Sequence, residues 1–178
     1  SGGMAACALM REPDLARQLI AATVAGTPRP VTVKMRLGWD DSSLNAPEIA
    51  RIAEGEGAKM VTVHGRTRQQ LYAGKANWAR VGTVVEAIDL PVIANGDIED
   101  EASAREAMAQ SGASGVMVGR GAEGRPWRLA QIAHALFGTP YSEPAPEAKL
   151  ASILGQVSSS VALYGERLGV RVLRKHVA

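Results

Sequence analysis

Two short apolar runs that each end in a polar, glycine-containing corner constrain the fold of this 178-residue chain more than any other feature. The runs are Pro91–Asp97 (PVIANGD) and Gly115–Gly121 (GVMVGRG), and they lie about one βα unit apart. In an α/β barrel, the loops after the last two strands are where a phosphate group commonly binds. The pair therefore predicts two parallel strands whose carboxyl ends face an anionic ligand.

The chain upstream repeats the same design. Residues 31–36 and 59–64 alternate or run apolar like strands, and an amphipathic helical pattern follows each of them. The four strands recur roughly every 25 to 30 residues, which is the spacing of βαβ units. A closed barrel needs eight such units, so we predict the C-terminal half of a TIM (β/α)8 barrel. A doubly wound open sheet is the alternative, but no Gly-x-Gly-x-x-Gly follows the first strand.

The last part of the chain has a different pattern. Residues 138–146 contain three prolines, and an apolar helical stripe follows them. We predict a partial barrel over residues 1–138, a linker over 139–146 and the start of an α-helical domain over 147–178. Because the chain begins at Ser1 without a methionine and stops within a predicted helix, we expect a piece of a longer protein. A missing N-terminal half-barrel or a second chain would then close the barrel.

Composition limits the class of protein. Hydrophobic residues make up 46% and charged residues 21%, as in ordinary soluble domains. The single cysteine, Cys7, excludes a disulfide framework and fits a reducing compartment. No apolar run approaches the roughly 18 residues of a membrane-spanning helix. We expect a cytoplasmic protein without a membrane partner, and the net charge of +2 permits nucleic-acid binding without arguing for it.

Lys34 and His64 are candidate ligand-facing residues on the predicted strands. Lys34 interrupts an apolar strand, where an ammonium is costly without a partner. It either stands beside an electron-accepting ring or anionic substrate, or pairs with a carboxylate from a neighbouring strand. His64 ends its strand and either faces the ligand or forms a hydrogen bond within a loop. No other ligand residue has metal-binding spacing, so no metal site is predicted.

The two glycine corners supply the remaining ligand candidates. Asn95 can donate and accept hydrogen bonds, and Gly96 lets backbone approach a ligand closely. Asp97 either accepts from ligand hydroxyls or caps the following helix. Gly119 and Arg120 offer backbone N–H groups and a guanidinium to an anion.

Basic residues in two parts of the chain suggest a polyanionic partner. One cluster shares a predicted helical face near the end of the chain and consists of Arg167, Arg171, Arg174 and Lys175. Such a face either follows a phosphate backbone or is simply solvated. Arg66 and Arg68, in the loop at the predicted ligand end of the barrel, favour the first reading.

Together these motifs resemble the bacterial tRNA-dihydrouridine synthases of B type, along essentially the whole chain. The segments that carry the resemblance are GGMAACALM (2–10), VTVKMRLGW (31–39), VHGRTR (63–68), VIANGD (92–97), VMVGRGA (116–122), RPW (125–127) and RKH (174–176).

The resemblance implies a flavoenzyme acting on tRNA. It implies an FMN-bearing barrel followed by a helical tRNA-binding domain, with NADPH reducing the flavin and uridine becoming 5,6-dihydrouridine. It also implies that Lys34 and His64 lie around the isoalloxazine ring. The ribityl and phosphate contacts it implies are Asn95, Gly96, Asp97, Gly119 and Arg120.

The chain departs from the family pattern at the catalytic acid. In the family this acid is a cysteine in an Asn-x-Gly-Cys-Pro loop, which would precede Ser1, whereas Cys7 follows the glycine pair Gly2-Gly3 and is not assigned the role. We therefore expect this chain alone to form no dihydrouridine. The alternatives are another FMN-dependent barrel oxidoreductase of the dihydroorotate-dehydrogenase type, or a non-catalytic half-barrel that binds RNA.

Overall fold

The computed structural model describes residues 6–177, without the side chains of Ala6, Lys175 and Val177. The chain forms two compact units. The first comprises the residues up to Ile98 together with Ala102–Val118, and the second comprises Glu99–Glu101 together with the residues from Gly119 onward. None of the helices described in either unit is long and apolar enough to cross a membrane.

The first unit is built on a four-stranded parallel sheet. Its strands are β1 (Thr32–Arg36), β2 (Met60–His64), β3 (Val92–Asn95) and β4 (Gly115–Met117). They pair in sequence order, each with its successor. This confirms the predicted series of four parallel βα units. The fourth strand ends at Met117, within the run Gly115–Gly121 that predicted it.

Four helices connect the strands of the first unit or follow them. They are α1 (Pro13–Ala25), preceded by a 3-10 helix over Ala6–Arg11, then α2 (Ala46–Gly55), α3 (Trp78–Val85) and α4 (Glu101–Ser111). Asn77 accepts a hydrogen bond from the Arg80 N–H at 2.9 Å and thereby caps the start of α3. The helices cover one face of the sheet, on which Val61, Val63 and Ala94 are completely buried.

The other face of the sheet carries the polar residues. Lys34 is in register with Thr62, and Arg36 is in register with His64, which in turn is in register with Asn95. Because paired residues of a parallel sheet point to the same side, the residues Arg36, His64 and Asn95 form a row at the carboxyl ends of three strands. Lys34 lies one layer below this row. We call these four residues the strand-end row.

The second unit consists of a 3-10 helix over Arg120–Ala122 followed by α5 (Arg128–Phe137) and α6 (Pro146–Val177). Gly138, with φ of +66°, ends α5 in the left-handed conformation that glycine favours. The backbone of Gly165 is not helical and divides α6 into two parts. A Cβ on Gly169 would lie 2.8 Å from the Ser160 carbonyl oxygen, so the second part packs back against the first. The sequence analysis predicted helix here but not this break.

The predicted linker over 139–146 is held by side-chain contacts within the second unit. Glu143 accepts hydrogen bonds from Lys149, Tyr141 and, at 2.9 Å, from Gln131. The Lys149 and Tyr141 hydrogen bonds lower the pKa of Glu143 to about 2. The predicted domain boundary at this segment remains a prediction.

Candidate functional site

The strand-end row places two cations, an imidazole and an amide on the polar face of the sheet. His64 is buried, with 8% of its surface exposed, whereas Arg36 and Asn95 are half-buried. Lys34 is exposed, one layer deeper along its strand. A flat ligand lying across the ends of β1 to β3 would meet all four side chains.

Lys34 has no carboxylate partner among the residues that the structure describes. Although the residue is exposed, partial burial of its side chain lowers its pKa, the positive charge of Arg36 lowers it further, and Cys7 opposes the change. The alternative in which Lys34 pairs with a carboxylate from a neighbouring strand therefore finds no partner in residues 6–177. An uncompensated cation here favours an anionic or electron-rich ligand.

His64 is held as a neutral imidazole. Burial lowers its pKa to about 4, and the nearby charges of Arg36, Lys34 and Arg66 act in the same direction. Asp97 opposes them without reversing the effect. At neutral pH the ring can therefore donate one hydrogen bond and accept another, but carries no charge.

We predict that this depressed pKa makes the free energy of unfolding depend on pH. The unfolded chain binds a proton at His64 below pH about 6.5, whereas the folded chain does so only below about 4. Stability contributed by the neutral ring is thus complete above pH about 6.5 and is lost as the pH falls toward 4. Urea unfolding at several pH values should show this slope, and a His64→Gln variant should lack that component. A His64 pKa near 6.5, measured by NMR of the imidazole, would contradict the prediction.

Arg66 is part of the interior and not a surface cation. Only 2% of the residue is exposed. Its Nη1 and Nη2 donate to the two carboxylate oxygens of Asp97 at 2.8 and 2.7 Å. Its Nε and Nη2 also donate to the carbonyls of Ala73 and Gly74 at 3.1 and 2.6 Å. These contacts leave the guanidinium little capacity for a phosphate, so its geometry argues against the RNA contact, which stays a prediction.

Asp97 joins the corner after β3 to the loop over residues 65–77. Besides Arg66, its Oδ2 accepts from the Ala76 N–H at 2.7 Å. Asp97 itself adopts a positive φ of 54°, which is uncommon outside glycine. The carboxylate that the sequence offered to ligand hydroxyls or to a helix cap therefore holds the loop after β2, and its predicted cofactor contact stays a prediction.

Asn95 and Gly96 are fixed by their neighbours in the sheet. The Asn95 Nδ2 donates to the Met117 carbonyl at 2.8 Å, which orients the amide and leaves its Oδ1 as the acceptor for a ligand. Gly96 has φ of +109°, and its carbonyl accepts from the Trp78 indole at 3.0 Å. A Cβ on Gly96 would lie 2.6 Å from the His64 ring, so glycine is needed here to seat the histidine.

Arg36 is a site residue that the sequence analysis missed. Its Nη1 donates to the carbonyls of Thr67 and Leu71, both at 2.9 Å, and its guanidinium lies 6.0 Å from the Tyr72 ring centroid. The available signal was its position two residues after Lys34 on the same strand face, at the end of the strand. Arg36 thereby anchors the loop after β2 over the strand-end row.

Gly119 and Arg120 lie in the second unit, where both are exposed. A Cβ on Gly119 would meet nothing within 4 Å, so crowding within the chain does not require glycine at this position. Open space of this kind is compatible with the predicted phosphate contact, which remains a prediction.

The other predicted RNA contacts differ in their exposure. Arg167, Arg171 and Arg174 are exposed, and all follow the break at Gly165. Arg68 is half-buried, and its guanidinium lies 5.9 Å from the Trp39 ring centroid. The side chain of Lys175 is outside the described part of the chain.

Among the residues that the structure describes, there is no group of three or more side chains suited to hold a metal ion.

Comparison with known proteins identifies the family. Residues 1–178 match the family described as dihydrouridine synthase (Dus). The chain belongs to the dihydrouridine synthase family. The resemblance that the sequence motifs indicated is thereby confirmed over the whole chain.

Relatives in the dihydrouridine synthase family are similar along nearly all of this chain. A probable tRNA-dihydrouridine synthase of Rhodobacter capsulatus is 52% identical over 99% of this chain and 55% of its own length. A probable tRNA-dihydrouridine synthase of Rickettsia prowazekii is 51% identical over 99% of this chain and 54% of its own length. The tRNA-dihydrouridine synthase B of Xanthomonas campestris is 42% identical over 97% of this chain and 52% of its own length. The chain thus spans about half the length of the curated relatives it matches.

Proposed function

We propose that the protein to which this chain belongs reduces uridine in tRNA to 5,6-dihydrouridine, with FMN as its cofactor and NADPH as the reductant. The observation that carries the proposal is the family match over residues 1–178. The strand-end row supports it, because a family-typical set of polar side chains lies at the carboxyl ends of consecutive parallel strands. A cytoplasmic location, where tRNA is found, fits the proposal.

The charge balance of the strand-end row suits a flavin. The three cations Lys34, Arg36 and Arg66 are close enough to lower the pKa of His64, and Asp97 is the one carboxylate acting on it. Since Asp97 is committed to Arg66, the charges of Lys34 and Arg36 are left to the ligand. FMN supplies the hydride for uridine reduction when it is bound, and its reduced ring carries negative charge that such cations stabilise.

Three residues of the strand-end row, and the corner after β3, have roles at the flavin in this proposal. Lys34 would bind the carbonyl edge of the ring and stabilise negative charge there. The neutral His64 would hydrogen-bond the ring without adding charge to it, and Asn95 Oδ1 would accept from the ribityl chain. Gly96 and Asp97 would shape the corner that the ribityl chain passes. Cys7 is not assigned a proton-donating role.

The phosphate of the cofactor would be bound by Gly119 and Arg120, as the resemblance implies. The tRNA would be bound through its phosphates by basic side chains. The residues proposed for this contact are Arg68, Arg167, Arg171, Arg174 and Lys175. Their removal should reduce the salt dependence of tRNA binding, because each phosphate contact releases counterions.

Replacing Lys34 with methionine tests the proposed flavin site. Methionine keeps the length of the side chain and removes the charge, so dihydrouridine formation by the full gene product should fall about 100-fold, by analogy with lost oxyanion stabilisation. FMN binding, followed by the absorbance of the bound flavin, should weaken as well. The matched control is Lys59→Met, which removes an exposed lysine adjacent to the start of β2. Equal activity and equal FMN affinity in the two variants would refute the assignment.

A further inference from the structure

A cavity of about 460 Å³ with both polar and apolar lining residues opens in the first unit beside the loop over residues 37–45. Its lining includes Arg11, Trp39, Asp40 and Asn45. The loop follows β1, so the cavity lies at the edge of the sheet where the strands end. None of these four residues is among the predicted site residues, and the strand-end row does not line the cavity.

Two arginines are held against the indole of Trp39 at this cavity. The guanidinium carbon of Arg11 lies 4.9 Å from the Trp39 ring centroid, and that of Arg68 lies 5.9 Å from it. Neither guanidinium forms a salt bridge with a carboxylate of the described residues. Stacking on an aromatic ring orients a guanidinium while leaving its N–H groups available. The cavity therefore has two oriented cations beside it that can bind an anion.

The cavity also presents hydrogen-bond acceptors that are not used within the chain. Asn45 Nδ2 donates to the Met10 carbonyl at 2.6 Å, while its Oδ1 is buried without a partner among the described residues. Asp40 Oδ1 accepts from the hydroxyls of Ser42 and Ser43, both at 2.7 Å. The Oδ2 of Asp40 accepts nothing from residues 6–177. These two oxygens require donors from a ligand or from water.

The loop that forms the cavity is fixed to the neighbouring loop after β2. The Arg68 N–H donates to the Gly38 carbonyl, and the Gln69 N–H donates to the Trp39 carbonyl, both at 2.9 Å. The Leu37 N–H donates to the Arg66 carbonyl at 3.1 Å. The cavity is thus connected by backbone hydrogen bonds to the loop that carries Arg66, next to His64, so a ligand would meet a loop that is already held in place.

We propose that this cavity binds a ribonucleotide of the RNA substrate, away from the uridine that is reduced. Arg11 and Arg68 bind a phosphate, and Asp40 accepts from a ribose 2′-hydroxyl. Asn45 Oδ1 accepts from an N–H of the base. A cavity with hydrogen-bond acceptors and cations on its rim matches a nucleotide, which carries donors as well as an anion. The Asp40 carboxylate would repel a ligand that is purely anionic. A ribose 2′-hydroxyl, in contrast, can donate a hydrogen bond to this carboxylate, and this group distinguishes RNA from DNA. The inference rests on the proposed function, since it takes tRNA as the substrate.

Binding of an unmodified tRNA transcript to the full gene product, measured by fluorescence anisotropy, tests the subsite. Trp39→Ala should weaken binding about tenfold, because it frees both guanidinium groups. Trp39→Phe retains an aromatic face and should therefore weaken tRNA binding less than Trp39→Ala does. Arg11→Ala should reduce the slope of log K against log salt by about 0.7 to 0.9, the contribution of one phosphate contact. The matched control is Arg51→Ala, an exposed arginine on α2, which should change neither quantity.

A second comparison tests recognition of the ribose. The wild-type protein should bind the RNA transcript more tightly than a DNA strand of the same sequence, and Asp40→Asn should narrow that difference. Thermal melting of each variant controls for folding. The proposal is overturned if Trp39→Ala and Arg11→Ala bind tRNA as Arg51→Ala does. The proposal is also overturned if these two variants lose thermal stability but keep the tRNA affinity of the wild type. The cavity would then be occupied by a segment of the protein itself and not by RNA.

The outcome is separable from that of the proposed function. If the wild-type protein forms no dihydrouridine but its RNA binding depends on Trp39 and Arg11, the reaction is refuted and the subsite stands. If dihydrouridine is formed and the Trp39→Ala and Arg11→Ala variants bind tRNA normally, the subsite is refuted and the reaction stands. FMN binding should be the same in both variants as in the wild type.

Discussion

Replacing Arg66 with methionine should destabilise the first unit by about 3 kcal/mol, because it removes one partner of a largely buried ion pair. The Arg66 residue is 2% exposed, whereas the Asp97 side chain keeps 27% exposure, so we place the cost at the lower end for such pairs. In the variant, Asp97 would lose both hydrogen bonds that Arg66 donates to it, and the carbonyls of Ala73 and Gly74 would lose theirs. Urea unfolding at neutral pH measures the loss.

Three comparisons show whether the role of Arg66 is structural. Arg66→Lys should be intermediate, since an ammonium cannot reproduce the two-pronged contact with Asp97. In a double-mutant cycle with Asp97→Asn, the two changes should cost less together than the sum of their separate effects. The salt dependence of tRNA binding should be unchanged in a folded Arg66→Lys variant and reduced in Arg68→Ala. Normal stability of Arg66→Met, combined with a reduced salt slope, would restore Arg66 as an RNA contact.

The fold could be predicted from the sequence because its signals are local. The run Pro91–Asp97 is short and mostly apolar before its polar corner, and its residues Val92–Asn95 form β3. Asn77 precedes α3 and caps it, as a side chain with an acceptor oxygen does. The parallel order of the strands followed from the spacing of the βα units, since such connections place successive strands side by side. The break at Gly165 was missed, because a glycine within a helical pattern is usually tolerated.

The partners of the site residues could not be predicted in the same way. Arg66 and Asp97 are 31 positions apart, and their pairing depends on the loop after β2 folding over the corner after β3. From the sequence alone, Arg66 was predicted to contact RNA and Asp97 was predicted to contact the cofactor. Burying Arg66 together with Asp97 costs less free energy than burying the arginine without a partner, and in the structure the two side chains form an ion pair. The role of Arg36 depends likewise on carbonyls supplied by a distant loop.

Gly96→Ala should cost about 3 kcal/mol of stability and displace His64, which makes it the most direct test of the site geometry. The backbone of Gly96 has φ of +109°, which an alanine adopts only with strain. Its added Cβ would lie 2.6 Å from His64 Cδ2 and 2.9 Å from the Ala76 Cβ. These distances are too short for carbon atoms, so the imidazole or the loop must move.

The matched control for this change is Gly74→Ala. Gly74 also has a positive φ, +65°, but a Cβ there would meet nothing within 4 Å. The control therefore carries backbone strain without a clash and should cost about 1 kcal/mol. Displacing His64 toward water should also raise its pKa from about 4 toward its ordinary value, and imidazole NMR can follow this in both variants. If Gly96→Ala costs no more than Gly74→Ala and leaves the His64 pKa near 4, then Gly96 does not seat the histidine. Equal costs accompanied by a raised His64 pKa would instead mean that the ring moves without strain elsewhere.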